Sequence, residues 1–166
     1  MAVTCDVSSP ESVKAAFAAI AKRHPQIDVL INNAGIFVPF IIAKATDDQI
    51  LNTIATNLTG PILCTRAAIP MMNRGGHIMN VSSGAALFGL PYASIYSATK
   101  AAIMRFSEAL RYELEEAKIH VSTIFPDFTS TDLALVAVRR GGEPIRTVRS
   151  LNAEGVRRYG LPRAKL

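Results

Sequence analysis

Apolar positions along this chain switch between helical spacing and short unbroken runs. Val13, Phe17 and Ile20 recur at helical spacing behind Ser8-Ser9-Pro10-Glu11, whose hydroxyls and proline suit a helix start. The pattern predicts a helix over residues 10–23, closed by His24-Pro25, with the apolar run Met1 to Thr4 ahead of it reading as a strand end. IDVLI, residues 27–31, is an aliphatic run of the kind buried on both faces in a parallel sheet, and it stops at Asn32-Asn33-Ala34-Gly35. Thr46-Asp47-Asp48-Gln49 then opens a second helix in which Ile50, Ile54, Leu58 and Ile62 keep a helical period toward Met71. Gly60-Pro61 inside it predicts a kink or break, and Asn57 stands where a distortion could free a backbone carbonyl. Gly75-Gly76 separates this helix from HIMNV, a second strand over 77–81 that ends in Ser82-Ser83-Gly84. A long helix follows over 94–117 with Ser94 as its cap, and a third strand over 119–125 is stopped by Pro126-Asp127.

Strand and helix alternate throughout, which argues for an α/β fold with an open parallel sheet that binds ligands outside the carboxyl ends of its strands. The loops at 32–35, 82–84 and 126–131 all lie at such ends, beside the start of the long helix. Small residues there let a ligand approach the backbone closely; they also simply make turns.

Composition narrows this picture. A length of 166 residues with 49% hydrophobic content and no Trp suits one domain with a single core. The N-terminus has no basic flank leading into an apolar run, and no stretch is apolar enough to span a bilayer, so a soluble cytoplasmic protein is expected. Cys5 and Cys64 lack CxxC spacing and read as buried packing residues, and His24, His77 and His120 are scattered, so no metal site is implied. The overall charge of +5 sits in the tail: from Arg139 onward eight basic residues face Glu143 and Glu154, a balance of +6 that leaves −1 for the residues before it. Without interleaved aromatics such a tail reads as a solvated end, with nucleic-acid contact the less favoured reading.

The chemistry is concentrated on the long helix. Among Tyr92, Tyr96, Tyr112 and Tyr159, only Tyr96 has a lysine four residues on, Lys100, which places ammonium and phenol one turn apart on the same face. A neighbouring cation favours phenolate and is expected to draw the phenol's pKa down, the route by which a tyrosine becomes an acid/base catalyst.

NNAG, the Asn of NLTG, the Ser ending NVSS, and YSATK stand in the order found in the short-chain dehydrogenase/reductase family, which the chain resembles from Ala2 to about Leu133. The intervals fit as well: 25 residues from Asn32 to Asn57, 13 from Ser83 to Tyr96 and 4 from Tyr96 to Lys100. The resemblance implies an incomplete Rossmann-type doubly wound parallel sheet flanked by helices, over residues 1–133, with 134–166 as a substrate-lid and tail segment of the same domain. It implies an oxidoreductase that passes hydride between NAD or NADP and an alcohol or carbonyl substrate. Tyr96 would be the general acid/base, Lys100 would hold the nicotinamide ribose, Ser83 would orient the substrate oxygen, and Asn57 would hold a water linking Lys100 to solvent. Asp6 and Val7 would meet the adenine, Asn32, Ala34 and Gly35 the adenine ribose region, and Thr131 the carboxamide or pyrophosphate end; Pro126 and Thr129 match too.

Departures accompany these matches. Asp127 follows Pro126 where the family usually has Gly, and the 166 residues contain no TGxxxGxG turn to receive the pyrophosphate and no final strand. The missing strands are expected to leave the edge of the 27–31 strand exposed, and the chain by itself is expected to bind dinucleotide poorly. Homodimers or homotetramers through the helices at 46–73 and 94–117 are expected. The competing reading is a truncated, catalytically inactive relative that serves as a binding or dimerisation module. Phe37, Phe40, Leu87 and Phe88 suggest an apolar substrate pocket or core.

Overall fold

A computed structural model of the chain describes residues 1–126. The Ser9 hydroxyl accepts from Ser12 N–H and Pro10 fills the first turn of helix α1, Pro10–Ala21, which buries Val13 and Ala16. Residues 1–6 form no strand, contrary to the reading of their apolar run. No strand among the described residues pairs with them, and backbone without a ladder partner has nothing to fix it as a strand. Cys5 is accordingly exposed, whereas Cys64 is buried as expected.

Strands β1 (Ile27–Asn32), β2 (Met72–Val81) and β3 (His120–Ile124) form a parallel sheet in the order β1-β2-β3. Leu30, Ile78 and Val121 share one register row on the face that carries the core, where Ile78, Leu110, Leu114, Ile119 and Val121 pack together. Strand β1 is not buried on both faces: Val29 and Ile31, pointing the other way, are 51% and 56% exposed. Its outer edge pairs with no strand among the described residues either. Gly75 and Gly76 lie inside β2 rather than before it, where the β1–β2 register shifts and Gly75 takes φ +87°.

The second helical run starts as expected. Thr46 and Gln49 form a reciprocal capping box at the head of helix α2, Asp47–Ile54. The run then widens into a π turn over Ala55–Thr59, which contains Asn57, and resumes as helix α3, Gly60–Ala68. Gly60 permits the break to be packed: a Cβ there would stand 2.8 Å from the Val7 carbonyl oxygen, so the 6–8 turn rests directly on the helix. Helix α4, Ser94–Glu113, takes Ala93 rather than Ser94 as its cap residue and has no side-chain cap. Among the described residues no helix is long and apolar enough to cross a membrane, and no group of three or more His, Cys, Asp or Glu is placed to hold a metal.

Candidate active site

The carboxyl ends of β1 and β2 and the first turns of α4 meet at one place, and the side chains expected to act there are brought together. Lys100 is 5% exposed, and its Nζ donates to the Val81 carbonyl at 2.8 Å and stands 5.7 Å from the Tyr96 ring centroid. Burial lowers its pKa from 10.5 to about 8. The Ser83 hydroxyl lies beside the Tyr96 phenol, where it favours the charged form, and Phe37 packs edge-on against the ring at 4.9 Å. Ser83 Oγ also accepts from the Ala85 N–H at 3.1 Å, which leaves its own proton for Tyr96.

The Tyr96 phenol is not drawn down as its lysine neighbour led us to expect. Burial pushes its pKa above the ordinary value of 10.0, and the Ser83 hydroxyl only partly opposes this. The ammonium is engaged with Val81 and lies over the ring. At neutral pH the site therefore holds a protonated phenol beside a cation, an arrangement suited to giving a proton to an oxygen on which negative charge develops.

Asn57 is 1% exposed and fastens the π turn to the loop after β1. Its Oδ1 accepts from the Ile36 N–H and its Nδ2 donates to the Ile36 carbonyl, both at 2.8 Å. Nδ2 also reaches Thr99 Oγ1 at 3.5 Å, and that hydroxyl donates to the Tyr96 carbonyl at 2.8 Å. Gly35 is held beside them: a Cβ on it would stand 3.4 Å from Asn57 Oδ1 and 3.5 Å from Lys100 Nζ. The β1 loop backbone thus stands directly beside the Asn57 amide and the Lys100 ammonium.

The remaining candidates divide. Val7 rests on Gly60, next to the Asn57 turn, and the Asp6 carboxylate accepts from the Ser8 N–H and hydroxyl, hydrogen bonds that lower its pKa. The Pro126 carbonyl accepts from Gly84 N–H at 3.0 Å, which closes the end of the site behind Ser83. Ala34 stands between Asn33 and Gly35 in the same loop. The side chain of Asn32 does not face a ligand: its Nδ2 donates inward to Thr65 Oγ1 at 3.0 Å and Asn80 Oδ1 at 2.7 Å. With both partners buried, that amide is committed to the sheet. Asp127, Thr129, Thr131 and the 134–166 segment lie outside the described residues. Of the proposed apolar wall, Phe40 is 5% exposed and belongs to the core, Leu87 is 65% exposed, and Phe37 touches Tyr96.

Several buried polar residues went unnoticed in the sequence. Asn80 extends the Asn32 network by donating to Ser107 Oγ at 2.8 Å, and Ser82 donates to the Lys100 carbonyl at 2.8 Å. A polar residue recurring at buried positions of the HIMNV-SS run was the available signal.

Known proteins resemble this chain in sequence and fold. Dehydrogenase/reductase SDR family member 7B of Mus musculus is 36% identical over 155 residues, covering 92% of this chain and 48% of that protein. A putative ketoacyl reductase of Streptomyces coelicolor is 36% identical over 135 residues, covering 79% of this chain and 52% of its own length. Among solved structures, a Burkholderia cenocepacia short chain dehydrogenase in complex with NADP superposes with a TM-score of 0.75 at 30% identity, over 78% of this chain and 54% of that one. The chain thus spans about half the length of the relatives it matches. The sequence pattern described as short chain dehydrogenase matches residues 1–139, and on this match and these relatives the chain belongs to the short-chain dehydrogenase/reductase family.

Proposed function

We propose that this site serves an NAD(P)-dependent oxidoreductase that interconverts an alcohol and a carbonyl compound, with Tyr96 as general acid/base. The observation that carries the reading is the Ser83 hydroxyl beside the half-buried Tyr96 phenol, with the Lys100 ammonium over the same ring. Membership of an oxidoreductase family and the NADP bound to a structural neighbour support it. Gly35 stands beside Asn57 and Lys100, so the loop after β1 and the lysine would flank the nicotinamide end of such a cofactor.

A nicotinamide dinucleotide supplies or accepts the hydride. Ser83 and Tyr96 donate hydrogen bonds to the substrate oxygen, and Tyr96 releases its proton to that oxygen as charge builds on it. Lys100, which donates to the Val81 carbonyl, would hold the ribose hydroxyls of such a cofactor and stabilise the phenolate left on Tyr96. The Asn57 side chain is committed to Ile36, so it is the backbone carbonyl of the π turn that would hold a water and pass a proton back to Lys100. Alcohol oxidation uses the same groups in reverse. The aromatic edge of Phe37 favours an apolar group beside the reacting carbon.

The test is to mix the chain with NADH or NADPH and a panel of aldehydes and ketones and to follow loss of reduced-nicotinamide absorbance. Turnover that disappears in Tyr96→Phe supports the reading; turnover that survives the substitution removes Tyr96 from the mechanism. A homodimer or homotetramer through the helices at 46–73 and 94–117 is part of the proposal.

A further inference from the structure

The meeting of Ser83 with Tyr96 depends on how the end of β2 is fastened to the first turns of α4, because nothing shorter than the intervening loop joins the two covalently. Two hydrogen bonds fasten them. The Ser82 hydroxyl donates to the Lys100 carbonyl at 2.8 Å, and Lys100 Nζ donates to the Val81 carbonyl at 2.8 Å. One lysine is thus held at its backbone by one strand residue and at its side chain by the residue before it. Ser82 is 3% exposed, and its N–H donates to the Ile124 carbonyl at 2.8 Å, so the clamp is tied to β3 as well.

These contacts close a ring. Ser82 is bonded to Ser83, Ser83 meets Tyr96, Tyr96 is one helical turn from Lys100, and Lys100 returns to Ser82. In a ring of this size, slack at one hydrogen bond appears as displacement at the other. A buried hydroxyl can satisfy itself without any such link: Thr53, 1% exposed on α2, donates to the Gln49 carbonyl of its own ladder at 2.7 Å. Ser82 instead places its proton across the gap between strand and helix, on the residue that carries the ammonium.

We propose that Ser82 is a positioning residue of this site: by donating to the Lys100 carbonyl, its hydroxyl sets the height of α4 on β2 at which Ser83 meets Tyr96 and the ammonium reaches Val81. The role rests on the catalytic reading of Ser83, Tyr96 and Lys100. It holds the machinery in place and touches neither cofactor nor substrate.

An NMR titration of isotope-labelled Lys100 and Tyr96 in the full chain tests it. Ser82→Ala frees the helix and admits water to the ammonium, so the Lys100 midpoint moves from about 8 toward 10.5, by about half a unit or more. Ser82→Thr, which keeps the hydroxyl, restores the midpoint, and Thr53→Val, which removes a buried hydroxyl whose bond stays within α2, leaves it in place. An unmoved midpoint in Ser82→Ala, or an equal movement in Thr53→Val, overturns the proposal. If Ser82→Ala does not fold, the wild-type chain decides. A slowly exchanging Ser82 hydroxyl proton with a cross-peak to the Lys100 turn supports the link, and a freely exchanging one refutes it. The titration needs neither cofactor nor substrate, so a chain without reductase activity whose Lys100 still responds to Ser82 would refute the reaction and leave the positioning role standing.

Discussion

Raising the pH from about 8 toward 10 strengthens the folded chain through Lys100, and Lys100→Met removes that gain. The ammonium is 5% exposed and its pKa is lowered from 10.5 to about 8 by burial. Between those values the folded chain has released a proton that the unfolded chain still holds, so the free energy of unfolding rises with pH across the window. At about 1.4 kcal/mol per unit, the whole shift is worth roughly 3 kcal/mol, most of it gained by about pH 10. Tyr96 acts in the opposite sense. Its folded pKa is raised above 10.0, so its contribution is present below that value and lost as pH rises through the folded one. The difference between wild type and Lys100→Met isolates the lysine, since both chains keep Tyr96. Methionine fills the same space and leaves the Val81 carbonyl without its donor, a loss of about 1–2 kcal/mol that is the same at every pH. Urea denaturation of both chains at intervals from pH 7 to about 10, followed by circular dichroism, measures the two curves. The wild-type curve climbs relative to the variant by about 2–3 kcal/mol; parallel curves would refute the buried, charge-penalised lysine on which the account rests.

Asn80→Ala removes one of the Asn32 amide's two acceptors and the donor to the Ser107 hydroxyl on α4, and costs about 1–3 kcal/mol in urea denaturation, against a negligible loss if the network were solvated. Gly60→Ala drives a methyl into the Val7 carbonyl, and hydrogen exchange at residues 5–9 rises while the α4 amides keep their protection. Ile31→Lys places a charge on the exposed face of β1 and reduces self-association in light scattering, with no loss of helical signal. Dinucleotide titrated into the chain alone does not saturate at micromolar concentration, because the 166 residues contain no glycine-rich turn for the pyrophosphate; tight saturable binding would contradict this.

Much of the site could be read from the sequence because its residues act through local spacing. Tyr96 and Lys100 share a helix face at an interval of 4, and the distortion at Asn57 follows from a polar residue just ahead of Gly60-Pro61 in an otherwise apolar helical period. What escaped depends on contacts between distant segments. Asn32 looks like a ligand residue at a strand end until Thr65 and Asn80 are seen to take both of its donated bonds. Ser82 looks like a turn residue beside Ser83, and only the approach of α4 makes it a link to Lys100. The direction of the Tyr96 shift was misjudged for a related reason. Spacing brings a cation near the phenol, whereas the depth of the site and the pull of Val81 on the ammonium come from the packing of β2 against α4. The exposure of Val29 and Ile31 was equally hidden, since an aliphatic run records what a strand can bury and not what is there to cover it.

The central claim is that Tyr96 gives a proton to a substrate oxygen while hydride arrives at the adjoining carbon. Deuterium transfer from nicotinamide deuterated at the reactive carbon, at millimolar dinucleotide and with a prochiral ketone, tests it most directly. The account predicts deuterium on one face of the product alcohol, lost in Tyr96→Phe. Label transferred equally well by the Tyr96→Phe chain, or no label transferred by the wild type, would contradict it.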